Sequence, residues 1–186
     1  MMRYIKVMLI VFLASLVLIW LFNQTTNKTV SPKSKRLDCQ SKSTTFEKVY
    51  DKNLTIEAQE LLTTGNYIIK SEIEKSTYSK STLFDNISKE DIQMITKKQI
   101  DEYVENQTDK EKKLLVSYYT RENDPDDPGK KTKKSKQYAG YLVFEFKLNN
   151  KTIYKIQTDF NDKKGKDIED RIVCTIKSFL TIGHIK

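Results

Sequence analysis

The stretch Tyr141–Phe160, "YLVFEFKLNNKTIYKIQTDF", decides the fold. Leu142, Phe144, Phe146 and Leu148 recur at every second residue, with Tyr141, Glu145 and Lys147 between them. Successive side chains of an extended chain point to opposite faces, so this alternation describes a strand with one apolar face. Tyr154, Ile156 and Phe160 repeat the period in the second half. Asn149 and Asn150, between the halves, tolerate the positive φ that a two-residue hairpin turn demands. The result is an antiparallel pair whose apolar side needs a cover.

Elements on both sides of this hairpin supply more strands and that cover. "KLLVSYYTR", Lys113–Arg121, is rich in the apolar and aromatic residues that favour strands. Beyond the hairpin, Ile168, Ile172, Val173, Ile176, Phe179 and Leu180 fill one arc at the helical period, with Asp167 as the expected cap and Asp170 three residues on. The wheel puts Cys174 opposite that arc, beside Asp170 and Lys177. Upstream, Ser88 and Asp91 form a variant capping box before Ile92, Ile95, Ile100, Tyr103 and Val104, which predicts a helix from Lys89 to Asn106. In "NYIIKSEIE", Asn66–Glu74, the even spacing of Tyr67, Ile69 and Ile73 reads as a strand, with a longer helix as the alternative. A short helix capped by Thr55 carries Ile56, Ala58, Leu61 and Leu62, and Gly65 stands where a left-handed terminating residue belongs. The expected fold is α+β: an antiparallel three- to four-stranded sheet packed against helices.

At the N-terminus, Val7–Phe22 carries no charged residue over sixteen positions. At about 1.5 Å per residue this covers roughly 24 Å of a hydrocarbon core about 30 Å thick. Lys6 can snorkel, and Tyr4, Trp20 and Phe22 resemble interfacial aromatic belts. Phe22, Asn23 and Gln24 stand where a signal-peptide cleavage site needs small residues, so the run reads as a retained anchor. The chain then divides into a transmembrane anchor (1–22), a polar tether (23–45) and an α+β domain (46–186). Positive charges flank the run on both sides, but the short basic start resembles an export signal. That places the anchor in the inner (cytoplasmic) membrane and the domain outside the cytoplasm, on the periplasmic side.

The formal charge is +8, of which Arg3 and Lys6 belong to the anchor. The remainder is a lysine-rich solvated surface, and export argues against nucleic acid as a partner. Cys39 and Cys174 form no CxxC unit, and the sole histidine, His184, completes no zinc ligand set. No glycine-rich phosphate loop or nucleophile elbow occurs, so no catalytic residue, cofactor, metal or small-molecule substrate is assigned. In an exported domain the two cysteines are expected to form a disulfide, with the Cys39 tether crossing the outer side of the last helix.

Two surface features remain. The loop "RENDPDDPGKKTKKSKQ", Arg121–Gln137, joins Glu122, Asp124, Asp126 and Asp127 to Lys130, Lys131, Lys133, Lys134 and Lys136. Pro125 and Pro128 break the ligand spacing of a calcium loop. A solvated connection between two strands accounts for both halves of the loop without function and is the favoured reading, with a surface where the lysines meet a partner as the alternative. Tyr119 and Tyr141 fall on the outward side of the sheet, as an interface or as cross-strand packing. The sequence therefore points to a non-enzymatic, membrane-anchored protein-binding domain: a subunit of an envelope complex or an inhibitor of an envelope-acting toxin. An envelope enzyme or ligand carrier, and a cytoplasm-facing domain that touches lipid or nucleic acid, stand as alternatives.

Overall fold

A computed structural model describes residues 36–183. The anchor expected at 1–22 and the first part of the tether lie outside the described residues, and no described helix is long and apolar enough to cross a membrane. In chain order the elements are α1 (Asp38–Ser41), β1 (Thr45–Val49), α2 (Asn53–Thr63), β2 (Tyr67–Glu74), α3 (Lys89–Asp101), β3 (Leu114–Glu122), β4 (Gly140–Leu148), β5 (Lys151–Phe160) and α4 (Ile168–Leu180). Short 3₁₀ turns lie at Leu83–Asp85 and Lys134–Lys136.

The β4–β5 hairpin forms as the alternation requires. Asn149 and Asn150 take φ of 51° and 61°, and Phe144 faces Ile156 while Phe146 faces Tyr154. A register shift after Phe146 leaves Ile153 as an extra residue, and it too is buried. At the start of β4 only glycine fits. A Cβ on Gly140 would lie 2.2 Å from the Phe160 ring and 2.3 Å from the Arg121 carbonyl oxygen.

The sheet departs from the expected one. It has five strands in the order β1-β5-β4-β3-β2, and it is mixed: β2 pairs with β3 in parallel, with Tyr67 opposite Leu114 and Glu74 opposite Arg121. The cause is the long connection through α3, which carries the chain back before β3 begins, as a parallel pair requires. Alternation marks a strand but not its direction. The fifth strand, β1, comes from the border of the polar tether, where composition gave no sign of folded structure.

Helix ends follow local hydrogen bonding. Ser88 and Asp91 form the expected box: the Ser88 hydroxyl accepts from the Asp91 N–H at 3.0 Å, and the Asp91 carboxylate accepts from the Ser88 N–H at 2.9 Å. That helix stops at Asp101 rather than Asn106. Two other caps differ. Asp51, not Thr55, receives the first N–H groups of α2, from Asn53 and Leu54 at 3.0 and 3.1 Å. The Asp167 carboxylate turns away from α4 and accepts from the Asn161 and Asp162 N–H groups at 2.8 and 3.1 Å.

The apolar face gathers Leu114, Val116, Leu142, Phe144, Phe146, Leu148, Tyr154, Ile156 and Phe160 against helix residues Leu62, Ile92, Ile100, Ile172 and Phe179, all at most 1% exposed. Phe179 stacks on Phe146 with ring centroids 3.9 Å apart, and Tyr118 stacks on Phe144 at 4.5 Å. Removing a buried ring at the Phe146–Phe179 stack should therefore dominate stability. Phe146→Ala is expected to cost about 3–5 kcal/mol, whereas Lys151→Ala in the exposed turn should stay within about 0.5 kcal/mol. Urea unfolding of the full chain compares them; similar midpoints would contradict this core.

Candidate interaction face

Cys39 and Cys174 form a disulfide, as the sequence led us to expect, with Cα atoms 5.8 Å apart and a sequence separation of 135. Cys174 is 4% exposed, because the segment carrying Cys39 folds against α4, where Gln40 also reaches Ser178. Residues 36–45, grouped with the tether by composition, are thus folded here.

A buried polar knot reinforces the bond. The Arg36 guanidinium grips the Glu47 carboxylate through Nε (2.9 Å) and Nη2 (3.1 Å), and donates to the Thr181 hydroxyl at 2.6 Å and to the Ser178 carbonyl. Gln40 donates to both Glu47 (3.1 Å) and the Ser178 hydroxyl (2.9 Å), and the Tyr154 hydroxyl donates to Glu47. Burial works against the charge on Arg36, but Glu47 outweighs it and raises the pKa. Burial, with the Glu47 carboxylate next, also pushes the Tyr154 phenol far up, so that it stays a donor.

The helices pack on one side of the sheet. On the other, Tyr119 and Tyr141 meet edge to face with centroids 6.2 Å apart. Beneath them Val143, paired with Tyr119 in the ladder, is only 1% exposed. Arg121 donates to the Tyr141 hydroxyl at 3.1 Å and pairs with Glu74 at 3.3 Å. Lys147 and Lys155 clasp Glu145 at 2.6 and 2.7 Å and hold its carboxyl below the usual range. Burial pushes the Tyr119 phenol up, and the neighbouring Tyr141 adds to this. Phe46, 38% exposed on β1, extends the face. An aromatic centre with a rim of mixed charge results. Such half-exposed ion pairs add little stability, so the chemistry of the face is available for contact.

The lysine loop does not join this face. Lys131, Lys133 and Lys136 are exposed, Lys134 lies in the 3₁₀ turn, and Lys130 folds back to donate to Asn123, with burial drawing its pKa down. The acidic half of the loop has a task that sequence reasoning missed. The Asp124 carboxylate accepts from the Thr77 and Tyr78 N–H groups at 2.6 Å each, and from the N–H (3.0 Å) and hydroxyl (2.7 Å) of Ser79. Glu122 accepts from the Thr82 and Leu83 N–H groups at 2.7 and 2.8 Å, and from Ser76 at 3.3 Å. The two acids pin the start of the crossover from β2. Among the described residues no group of three or more His, Cys, Asp or Glu is placed to hold a metal ion. A hint was available: short polar residues crowd Ser76–Thr82, and they need acceptors.

No family model matches the chain, and no curated protein or solved structure is significantly similar to it.

Acid should release the pinned segment. Burial acts to raise both carboxyls, but the hydrogen bonds prevail and hold Glu122 and Asp124 below their ordinary values. Their contribution is therefore complete above the unfolded carboxyl pKa of about 4 and is lost as pH falls through the lower folded values. Hydrogen exchange should show Thr77–Ser79, Thr82 and Leu83 protected at neutral pH and opening under acid before the β4–β5 core. Protection factors that stay constant down to about pH 2, below the ordinary carboxyl range, would contradict this role.

Proposed function

We propose that the chain is a single-pass membrane protein whose domain lies outside the cytoplasm and binds another protein without catalysing a reaction. The apolar run Val7–Phe22 supplies the anchor. The Cys39–Cys174 bond suits an oxidising compartment. The observation that carries the binding role is the uncovered sheet face, with Tyr119 and Tyr141 over buried Val143 inside a rim of Arg121, Glu74, Glu145, Lys147 and Lys155. Tyrosine at the centre of a patch is among the residues that dominate protein interfaces. Mixed charge around them suits a folded protein rather than a nucleic acid or a lipid surface. Both cysteines are spent on the disulfide and the Glu122 and Asp124 carboxylates on backbone N–H groups, which leaves these groups to structure. As an anchored module the domain serves as a subunit of an envelope complex or as an inhibitor of an envelope-acting toxin.

A photo-crosslinking residue at position 141 in intact cells, combined with reporter fusions at both ends, tests this. The expected result is an active extracytoplasmic reporter at the C-terminus and a discrete protein adduct from position 141, absent when the crosslinker replaces Asp85 on the opposite side. A cytoplasmic C-terminus, or adducts that do not distinguish the two positions, would overturn the proposal.

A further inference from the structure

The open face is not the only part of the sheet without a neighbour. β2 ends the strand order, so one of its edges meets no other strand among the described residues. The direction of that edge follows from the ladder. Leu114 donates its N–H to the Asn66 carbonyl, so the even-numbered residues of β2 bond to β3 and Tyr67, Ile69, Ser71 and Ile73 turn their N–H and C=O groups outward. Beside this edge runs a groove of 480 Å³ between β2 and α3, lined by Tyr67, Ile69, Gln93, Met94 and Lys97. Met94 is 63% exposed there, and Ile68 on the strand is 55% exposed.

From this edge we infer that two copies of the chain pair antiparallel along β2, with Ser71 on the twofold axis, to give one continuous ten-stranded sheet. The argument is self-complementarity. With Ser71 opposite Ser71 of the second copy, Ile69 faces Ile73 and Lys70 faces Glu72, each twice by symmetry. Apolar and opposite-charge cross-strand pairs of this kind stabilise a ladder, and like charges opposite each other destabilise it. A shift in either direction that keeps each face of the sheet on its own side loses this match. One shift sets Lys70 against Lys70, the other Glu72 against Glu72. A charged residue, lysine above all, is the usual guard of an exposed edge. Of the three registers, only the one centred on Ser71 gives this guard an opposite charge across the axis without setting like charges face to face.

The remaining geometry agrees. The backbone groups of Tyr67, Ile69, Ser71 and Ile73 provide three mutually hydrogen-bonded residue pairs centred on Ser71, which is 7% exposed with its hydroxyl held by Gln93. Ile73 of the second copy comes down on the helix side of the sheet, next to Ile69 in the groove where Met94 is exposed. Lys70 and Glu72, now 3.4 Å apart within one strand and both about two-thirds exposed, exchange that contact for partners across the axis. The twofold keeps both Tyr119–Tyr141 faces on the same side, so pairing doubles the binding face without covering it. The inference stands independently of what that face binds.

Charge reversal tests the register. The full chain in detergent should sediment as a dimer whose population rises with concentration. Lys70→Glu alone and Glu72→Lys alone each turn both charge pairs into like-charge pairs and should weaken self-association about tenfold. Mixed together, these two variants set opposite charges across every pair and should associate as tightly as the parent, and so should the Lys70→Glu/Glu72→Lys double variant. A parent that stays monomeric, single variants that dimerise undiminished, or a mixture no tighter than its components would each overturn the proposal. A monomer that binds an extended foreign peptide along β2 would assign the edge to another protein. A monomer that dimerises only after removal of residues 1–35 would assign it to the chain's own N-terminal segment.

Discussion

The half-buried Glu47 carboxylate is the point on which this architecture turns. A lone carboxylate taken out of water costs several kcal/mol. Glu47 escapes that cost only because Arg36, Gln40 and Tyr154 all converge on it. Those partners come from two parts of the chain and Glu47 from a third, so satisfying one charge fixes residues 36–40, β1 and β5 together. Arg36 and Gln40 also reach Ser178 near the end of α4, and Cys39 closes the same corner covalently. Loop-closure entropy gives a bond spanning this much chain about 5 kcal/mol in principle. The knot and the disulfide make a strand out of a sequence with little apolar content of its own.

This corner decides how the sheet is used. With β1 held beside β5, the sheet is wide, its helix-covered side is filled by the Phe146–Phe179 and Tyr118–Phe144 stacks, and its other side is left to Tyr119, Tyr141 and their charged rim. On the β1 side, Ser43 and Thr44 extend the pairing with β5 through Thr158 and Asp159. One end of the sheet is thus tied to the chain entering the domain. On the β2 side no strand lies beside the edge among the described residues.

Much of the architecture could be read from the sequence where local rules decide. Period-two alternation located β2, β4 and β5, the Asn149-Asn150 pair located the turn, and the Ser88–Asp91 box located the start of α3. The pairing of Cys39 with Cys174 followed from their being the only two cysteines. What escaped was set by distant contacts. The parallel pairing of β2 with β3 depends on where a long connection returns. β1 has too few apolar residues to announce itself and owes its place to Glu47. Thr55 and Asp167 were read as caps because they are capping residue types, yet Asp51 is better aimed at one helix and Asp167 has other donors. Tyr119 and Tyr141 were legible as an outward pair, whereas Glu122 and Asp124 resembled a solvated acidic run until the N–H groups of residues 76–83 came into view.

The dependence of β1 on the N-terminal corner can be measured directly by hydrogen exchange on the full chain, oxidised and then reduced. In the oxidised chain the Phe46 and Lys48 amides, which the register turns toward β5, should be protected to an extent approaching that of β5. After reduction, or in Cys39→Ser/Cys174→Ser, protection of β1 should fall sharply while β3 and β4 remain protected. Equal protection of β1 in both states, or its absence in both, would contradict the account that this corner holds the fifth strand.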